Sequence, residues 1–315
     1  MSTDPAGARV RRLLAGPVGC AFFLAARQAS LTVQRLLVPE VSLDLAAKAR
    51  AALDPWTGYA AAARAEVLAR AAEVGDLASS AAHDPRSAWW WQRLPAQSQV
   101  SLVGAEPEPP PTTAASWAAY AQRPAAAFFT ATRFGSTSGL HAALANQVGD
   151  WEPAYPLLEE DIEVSAEARV YEVNNAADWH ELAARSPSTV HRPGSGPPGI
   201  HDDAAPDWSA VARRWDGVHL TFAGLLAASF TPATTAAGTT TLWTWESERT
   251  LWLRQPFLAR RPVRRVTEEI RSGDPGHALR LSSAEPSGTR DRGWLRRRPG
   301  PRARGESNVP DMGDR

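Results

Sequence analysis

Cysteine and lysine are almost absent from this sequence, with one residue of each in 315. Because Cys20 is alone, no disulfide forms within the chain, and a metal site built from several cysteines is excluded. Lys48 is the only lysine among 34 lysine and arginine residues. This bias, together with the abundance of alanine, proline and glycine, is typical of a GC-rich bacterial genome. An uninterrupted apolar run of about 18 residues is also missing, so we expect no membrane-spanning helix and no membrane partner.

Net charge is lacking as well, since 34 acidic residues balance the 34 basic ones. The charges are unevenly spread, because the segment 255–315 holds 14 arginines and 8 acidic residues and leaves the preceding body acidic. An acidic body argues against a nucleic-acid-binding fold. We therefore expect a protein rather than a nucleic acid as any partner, and the sequence does not identify it.

The first residues combine features of a signal peptide and of an ordinary helix. An apolar run, 13–26, follows three arginines, and Gly19 with Cys20 is similar to a lipoprotein cleavage site. Gly16 and Pro17 interrupt this run, and the helical pattern continues beyond it. The pattern favours a helix of a cytoplasmic protein.

The order of periodic segments predicts three regions. Residues 10–94 contain only helical segments rich in alanine, leucine and arginine, and they predict a helical domain. Residues 95–257 alternate strand and helix patterns and predict a mixed α/β domain rich in tryptophan. Residues 258–315 mix arginine, proline, glycine and serine without periodicity, so a disordered tail is expected. The fold class is therefore α+β or α/β, with a helical N-terminal part, a mixed sheet with flanking helices and a disordered C-terminal tail.

Capping residues and alternation predict the individual elements. Asn175 with Asp178 is typical of a helix start after a strand at 170–173, and Asp207 caps a second helix that Gly217 ends. Further strands are expected at 97–103 as an edge strand, at 128–134, at 218–222, and at 240–245 and 250–254 as a pair joined through 246–249. Helices are expected at 117–122 and 138–148.

Tryptophan is abundant, with 13 residues, most of them between Trp89 and Trp245. Most indoles are expected in the core or at its edge. The three adjacent indoles at 89–91 do not all face one core, so at least one is expected at a seam between domains or at the surface. Such a seam is a candidate contact surface, and a ligand platform is the alternative.

Several polar segments occupy positions where enzymes carry functional groups. The segment 135–139 has the place of a nucleophile elbow, but its middle residue is Thr137 rather than serine, which argues for simple helix capping. His191 and His201, with neighbouring aspartates, lie in a loop without ligand spacing, so no metal site is expected. His219 lies on a strand and is interpreted as a core histidine with satisfied hydrogen bonds.

The pair Glu246 and Glu248, with a Ser-Thr-Ser segment that begins at Ser136, resembles the arrangement in ADP-ribosyltransferases. The resemblance implies that Glu248, Glu246 and Ser136 are catalytic and that an arginine, Arg133, binds the phosphates of NAD. The Tyr-Arg-Gly strand of that family has no counterpart here, and Arg93 and Arg133 are its only conceivable substitutes. NAD is expected only under this alternative, and otherwise no cofactor is expected.

Longer motifs carry a second resemblance. They are Leu-Leu-Ala-Gly-Pro-Val-Gly-Cys-Ala-Phe-Phe-Leu at 13–24, Asp-Pro-Trp at 54–56, Trp-Trp-Trp at 89–91, Val-Tyr-Glu-Val at 170–173 with Asp-Trp-His at 178–180, Pro-Asp-Trp at 206–208 with Trp-Asp-Gly-Val-His-Leu-Thr at 215–221, and Glu-Arg-Thr-Leu-Trp-Leu-Arg at 248–254. Over about residues 10–255 the chain resembles a family of actinobacterial proteins without an assigned function. The resemblance implies a cytoplasmic bacterial protein and supplies no active site.

Two functions are open at this point. The first is a non-catalytic interaction or regulatory protein, with the tryptophan-rich seam as its contact surface. The second is an ADP-ribosyltransferase-like enzyme that acts on NAD, with Glu248 as its catalytic acid residue. A cleft that joins Glu248, Ser136 and an arginine would favour the enzyme, whereas an exposed patch of indoles would favour the interaction protein.

Overall fold

A computed structural model describes residues 5–54, 60–104, 128–146, 157–188, 200, 203–235 and 238–266. The described residues belong to one compact unit, Met1–Leu279, and a second unit, Arg280–Arg315, lies outside them. The elements begin with helices, which are α1 Pro5–Ala15, α2 Pro17–Gln28, α3 Val33–Leu36, α4 Pro39–Ala52, α5 Ala60–Ala69 and α6 Gly75–His83, with 3₁₀ segments at Ala71–Val74 and Pro85–Trp91.

The N-terminal helices begin where the sequence carries helix-start signals. Pro17 and Pro39 stand in the first turns of α2 and α4, where the missing N–H costs nothing. Thr32 caps α3 by accepting a hydrogen bond from the Arg35 N–H. Every residue from 17 to 26 of α2 is buried, because α2 packs between α4, α5 and a later helix, α10 Phe222–Ala228. Among the helices that the structure describes, none is both long and apolar enough to span a bilayer.

Strands and helices alternate after residue 98. The strands are β1 Gln99–Gly104, β2 Phe128–Phe134, β3 Thr137–Ser138, β4 Leu157–Val164, β5 Val170–Val173, β6 Gly217–Leu220, β7 Pro232–Thr235, β8 Gly238–Thr241, β9 Arg249–Trp252 and β10 Phe257–Val266; the helices among them are α7 Gly139–Ala145, α8 Ala176–Arg185, α9 Trp208–Ala212 and α10. The main sheet has the order β10-β4-β1-β2-β9-β6-β5, with β3 paired to β2, and β7 and β8 form a separate sheet. Among the described strands of this sheet β5 and β6 pair in parallel and the other neighbours pair antiparallel, so the sheet is mixed.

This architecture confirms the expected fold class, a helical N-terminal part followed by a mixed sheet with flanking helices. The strands at 128–134 and 170–173 are confirmed, as are the caps: Asn175 accepts hydrogen bonds from the first turn of α8, and Asp207 does so for α9. The helix expected at 117–122 lies outside the described residues, and so does the tail beyond Val266. The division into domains at 10–94 and 95–257 stays a prediction, whereas the start of the expected tail at 258 is corrected below.

Three expectations about strands are wrong. β1 is not an edge strand, because it lies between β2 and β4. The segments around 240 and 250 do not form a hairpin, since β8 pairs with β7, and β9 pairs with β2 and β6. Residues 258–266 are not part of a disordered tail, since they belong to β10, which pairs with β4.

Opposite charges explain why the arginine-rich strand β10 pairs with β4. The salt bridges Arg260–Glu160, Arg261–Glu163 and Arg264–Glu159 connect the two strands. Like charges on one strand repel, whereas opposite charges across a ladder stabilise pairing. β10 therefore forms an edge strand although four of its ten residues are arginines.

Aromatic rings join the helical part to the sheet part. Trp90, which is fully buried, packs against Phe22 and Phe23 of α2, against Phe222 of α10 and against the neighbouring Trp89. Such ring pairs stabilise beyond the area they bury. The segment 89–91 therefore contacts both the N-terminal helix α2 and the later helix α10, whereas the expected seam between domains stays a prediction.

Candidate functional site

A chain of buried ionisable groups crosses the sheet at His219. The imidazole lies between two carboxylates: Nδ1 is 2.6 Å from an oxygen of Glu172, and Nε2 is 3.1 Å from an oxygen of Glu248. The His219 and Glu248 side chains are only 2% and 3% exposed. We call these three residues, Glu172, His219 and Glu248, the His219 clamp.

Strand register places the members of the His219 clamp together. Glu172 of β5 is opposite His219 of β6, and His219 is opposite Thr250 of β9. The side chains of Glu172, His219 and Thr250 therefore project from the same face of the sheet. Glu248 directly precedes β9, and its carboxylate accepts from the Thr132 N–H of β2, at 3.2 and 3.3 Å to its two oxygens. The clamp therefore connects four strands.

The His219 clamp holds a positive charge inside the protein. Burial by itself would lower the pKa of His219, but the hydrogen bonds to Glu172 and Glu248 outweigh burial and raise this pKa from 6.5 to about 9. Both ring nitrogens of the imidazolium donate, one to each carboxylate. Glu172 also accepts from the Leu94 N–H at 3.0 Å. His219 is thus a buried histidine with satisfied hydrogen bonds, as the sequence predicts.

A second polar chain lies beside the clamp on β1, β2 and β9. Trp252 Nε1 donates to Thr130 Oγ1 at 2.9 Å, and Thr130 Oγ1 donates to Gln99 Oε1 at 2.5 Å. Gln99 Nε2 in turn donates to Thr132 Oγ1 at 3.3 Å. A buried polar group costs free energy unless it is hydrogen-bonded. These hydrogen bonds therefore offset the cost of burying the polar groups of the four side chains inside the sheet.

Arg133 belongs to a different cluster. Its guanidinium contacts Glu159 and Asp161 of β4, each at 2.6 Å. Glu159 is fully buried and also pairs with Arg264, and these two arginines outweigh the effect of burial and lower the Glu159 pKa. His141 Nε2 lies 3.2 Å from Glu159, and burial lowers the His141 pKa. His141 is therefore neutral at pH 7, so one ring nitrogen donates a hydrogen bond and the other accepts one.

This second cluster contains a serine that sequence reasoning did not single out. Ser138 Oγ lies 2.8 Å from His141 Nδ1, so serine, histidine and the Glu159 carboxylate follow one another as in serine hydrolases. Ser138, however, is completely buried, and its hydroxyl caps α7 by accepting from the His141 N–H at 3.3 Å. In this conformation the serine is a capping residue, and no substrate reaches it.

The residues proposed from the ADP-ribosyltransferase resemblance have different surroundings. Glu248 is in the buried clamp, and Glu246 forms a salt bridge with Arg249. Ser136 is exposed in the turn between β2 and β3, and Arg133 is bound to carboxylates of β4. Within the described part of the chain, no contact joins Glu248 to Ser136 or to the Arg133 side chain.

Glycine allows the close approach of α7 to the clamp. A Cβ at Gly139 would lie 2.0 Å from the carbonyl oxygen of Glu248, closer than any such contact in proteins. Sequence reasoning did not predict this contact, because the two residues are far apart in the chain.

Metal ligands were not expected from the sequence. In the part of the chain that the structure describes, no group of three histidine, cysteine, aspartate or glutamate side chains is arranged to hold a metal ion. His191, His201 and Asp202 lie outside the described residues, whereas Asp203 accepts a hydrogen bond from the Thr239 N–H.

Comparisons with known proteins return no match: no family model fits the chain, and no significant similarity appears among curated proteins or among solved structures. The resemblance to an actinobacterial family therefore stays a prediction.

Proposed function

We propose that this chain is a non-catalytic interaction or regulatory protein and that β10 is its contact surface. The observation that carries the proposal is the exposure of two apolar side chains on this edge strand, Leu258 at 65% and Val263 at 48%. Among the described residues only one other large apolar side chain, Leu68 of α5, is exposed. Apolar side chains concentrated on one edge are typical of a protein contact site.

The ladder with β4 leaves these two side chains available. Register shifts between Phe257 and Ala259 and between Pro262 and Arg264 leave Leu258 and Val263 without a cross-strand partner. The same bulges, with Pro262, discourage a further strand from pairing along the edge. Contact through side chains is therefore favoured over addition of a strand.

The charges around Leu258 and Val263 indicate the chemistry of the partner. Arg261 and Arg264 have side chains 72% and 48% exposed, and Arg265 is also exposed. A complementary surface presents apolar side chains bordered by carboxylates, since complementary charges steer association. We propose an acidic protein surface as the partner.

Among the tryptophans that the structure describes none is exposed, so they give no support to the contact surface that the sequence suggested. Trp90, Trp245 and Trp252 are fully buried, and Trp89 and Trp91 are half-buried against neighbouring side chains. Trp89 Nε1 donates to the Leu37 carbonyl at 3.3 Å, and Arg9 lies 4.6 Å from the Trp91 ring. The indoles that the structure describes are therefore buried or half-buried, and the proposed surface moves to β10.

Cytoplasmic location and bacterial origin remain part of the proposal and rest on the sequence. The alternative, an ADP-ribosyltransferase-like enzyme acting on NAD, also remains a hypothesis. It requires the Glu248 carboxylate to reach a substrate, whereas here that carboxylate is engaged by His219 and Thr132.

The test compares three forms of the full chain as bait in a nuclease-treated bacterial lysate: the unchanged protein, the double variant Leu258→Gln/Val263→Gln, and Leu68→Gln as the matched control. We expect a partner bound by the unchanged protein and by Leu68→Gln, with an affinity for the double variant lower by about tenfold or more. Equal binding to all three forms would contradict the proposed surface. A partner captured only from a parallel lysate without nuclease treatment would contradict a protein partner.

A further inference from the structure

A buried guanidinium group lies away from both clusters described above. Arg50 of α4 is 3% exposed and donates from Nη2 to the Trp243 carbonyl at 2.6 Å. Its Nε and Nη1 are buried and have no hydrogen-bond partner. A buried donor without a partner costs about 1–3 kcal/mol, and more when the group is charged, so native proteins seldom retain one.

The charged neighbours of Arg50 cancel one another and leave its positive charge uncompensated. Two carboxylates, Asp54 and Glu246, attract the Arg50 charge, and two guanidinium groups, Arg64 and Arg249, repel it. These five side chains together carry one positive charge more than negative charge. Burial lowers the pKa of Arg50 to about 10, so the group is still charged at neutral pH.

Neighbouring groups add further donors that are not used. Arg249 Nε and the Ser229 hydroxyl are both buried without a hydrogen-bond partner. Ser229 directly precedes Phe230, whose ring lies 4.1 Å from the Arg50 guanidinium carbon and 5.3 Å from that of Arg64. Aromatic faces attract a cation but provide no oxygen acceptor for its N–H groups.

The backbone at this place is also strained. Phe230 has a φ of 59°, a left-handed conformation that a bulky side chain rarely adopts. The conformation is held by the hydrogen bond from the Phe230 N–H to the Leu242 carbonyl at 2.8 Å. Residues in such conformations concentrate at ligand sites, because the surrounding structure must be built to maintain them.

From these observations we propose that Arg50 binds a small oxyanion of the phosphate class at the junction of α4 with the segments 229–230 and 242–243. One phosphate oxygen accepts from the unused Nη1, and a second accepts from the other hydrogen of Nη2 at the same end of the guanidinium, the bidentate geometry for which arginine is suited. The anion also supplies the negative charge that the five side chains lack. A water molecule fills only the first role, since it accepts hydrogen bonds without cancelling charge.

The experiment measures thermal unfolding of the full chain at pH 7 in millimolar phosphate and in chloride at matched ionic strength. Three variants accompany the unchanged protein: Arg50→Met, Arg50→Lys, and Arg213→Met at an exposed arginine of α9's C-terminal end. At ten times the dissociation constant, phosphate is expected to raise Tm by about 3 °C in the unchanged protein and in Arg213→Met. Arg50→Met loses this increase.

Arg50→Lys provides a second measurement in case Arg50→Met does not fold. Lysine keeps the charge but lacks the second donor of the fork, so its phosphate affinity is expected to fall at least tenfold, measured by isothermal titration calorimetry. An increase in Tm that is equal in all folded forms, or absent from the unchanged protein, would overturn the proposal. Phenyl phosphate in a parallel titration distinguishes a free anion from an esterified one, because an enclosed site for the free anion excludes the ring.

Discussion

His219 lies between the carboxylates of Glu172 and Glu248 as the positive member of a buried hydrogen-bonded chain. Neither carboxylate is a neighbour of His219 in sequence, since they lie 47 and 29 positions away. Sequence reasoning assigned His219 correctly to the core but did not find its partners, because strand pairing brings them together. Glu248 was proposed as a catalytic residue from the spacing of a short motif. That motif gives no information on whether the carboxylate is buried or which groups surround it.

The His219 clamp makes stability depend on pH. The pKa of His219 in the folded protein, about 9, exceeds the ordinary value of 6.5, so the folded protein retains this proton more strongly than the unfolded chain. The contribution of the clamp is therefore fully present below pH 6.5 and is lost as pH rises through 9. A shift of this size corresponds to about 3 kcal/mol in the free energy of unfolding.

Urea unfolding between pH 6 and 9 measures this effect. The free energy of unfolding should decline as pH rises above 7, and the decline should be absent in His219→Gln. The control His83→Gln replaces an exposed histidine of α6 and should keep the decline. An unchanged protein with no pH dependence in this interval would show that the clamp holds no extra proton. Burial raises the pKa of the Cys20 thiol from 9.0 to about 11, so its contribution to the pH dependence begins only near pH 9, at the upper end of this interval.

At the level of elements, helix caps were the most reliable signal in the sequence. Asn175 and Asp207 begin helices as expected, since a cap is a local hydrogen bond that does not depend on distant residues. The helix α10 was missed, and Phe222 was assigned to a strand instead. All seven residues of α10 are buried, so its sequence lacks the alternation of apolar and polar faces that identifies a helix.

The strand β10 was missed for a different reason. Its arginines suggested a solvated tail, and their carboxylate partners lie on β4, about 100 positions earlier in the chain. A charge-rich strand is recognisable only when the complementary strand is known. The strand β4 itself was not predicted.

Within the β4–β10 ladder, we expect Glu159 to contribute most to the free energy of unfolding. Glu159 is fully buried and pairs with Arg133 and Arg264, whereas the side chains of Glu163 and Arg261 are 34% and 72% exposed. Because exposed pairs stabilise little, we expect Glu163→Gln to change the free energy of unfolding by less than about 0.5 kcal/mol.

Glu159→Gln is the matched change at the buried position. It leaves two arginines without their shared carboxylate, and we expect the free energy of unfolding to fall by about 2 kcal/mol. This loss is smaller than the full cost of breaking a buried ion pair, because both arginines reach solvent. Urea unfolding at pH 7 measures both variants. Equal losses for the two would mean that burial of Glu159 adds nothing to the ladder.

Across the whole molecule, aromatic packing connects the helical part to the sheet part. Phe222 of α10 is 1% exposed, and its ring centroid lies 5.8 Å from that of Phe22, 4.8 Å from that of Trp89 and 5.3 Å from that of Trp90. The sequence indicated a junction at the adjacent indoles, but it gave no information on the rings that meet them, since these come from α2 and α10.

If this junction couples the two parts, a single change within it should weaken both together. Phe222→Ala is expected to lower the free energy of unfolding by about 3–5 kcal/mol, the usual cost of removing a buried ring. Unfolding followed by far-ultraviolet circular dichroism, which reports mainly the helices, should coincide with unfolding followed by tryptophan fluorescence, in the unchanged protein and in the variant. Leu68→Ala, at a side chain 40% exposed, is the control and should shift neither transition appreciably. Two separate transitions, with only one displaced by Phe222→Ala, would instead mean that the predicted helical and α/β domains unfold independently and that the aromatic contacts contribute to one of them alone.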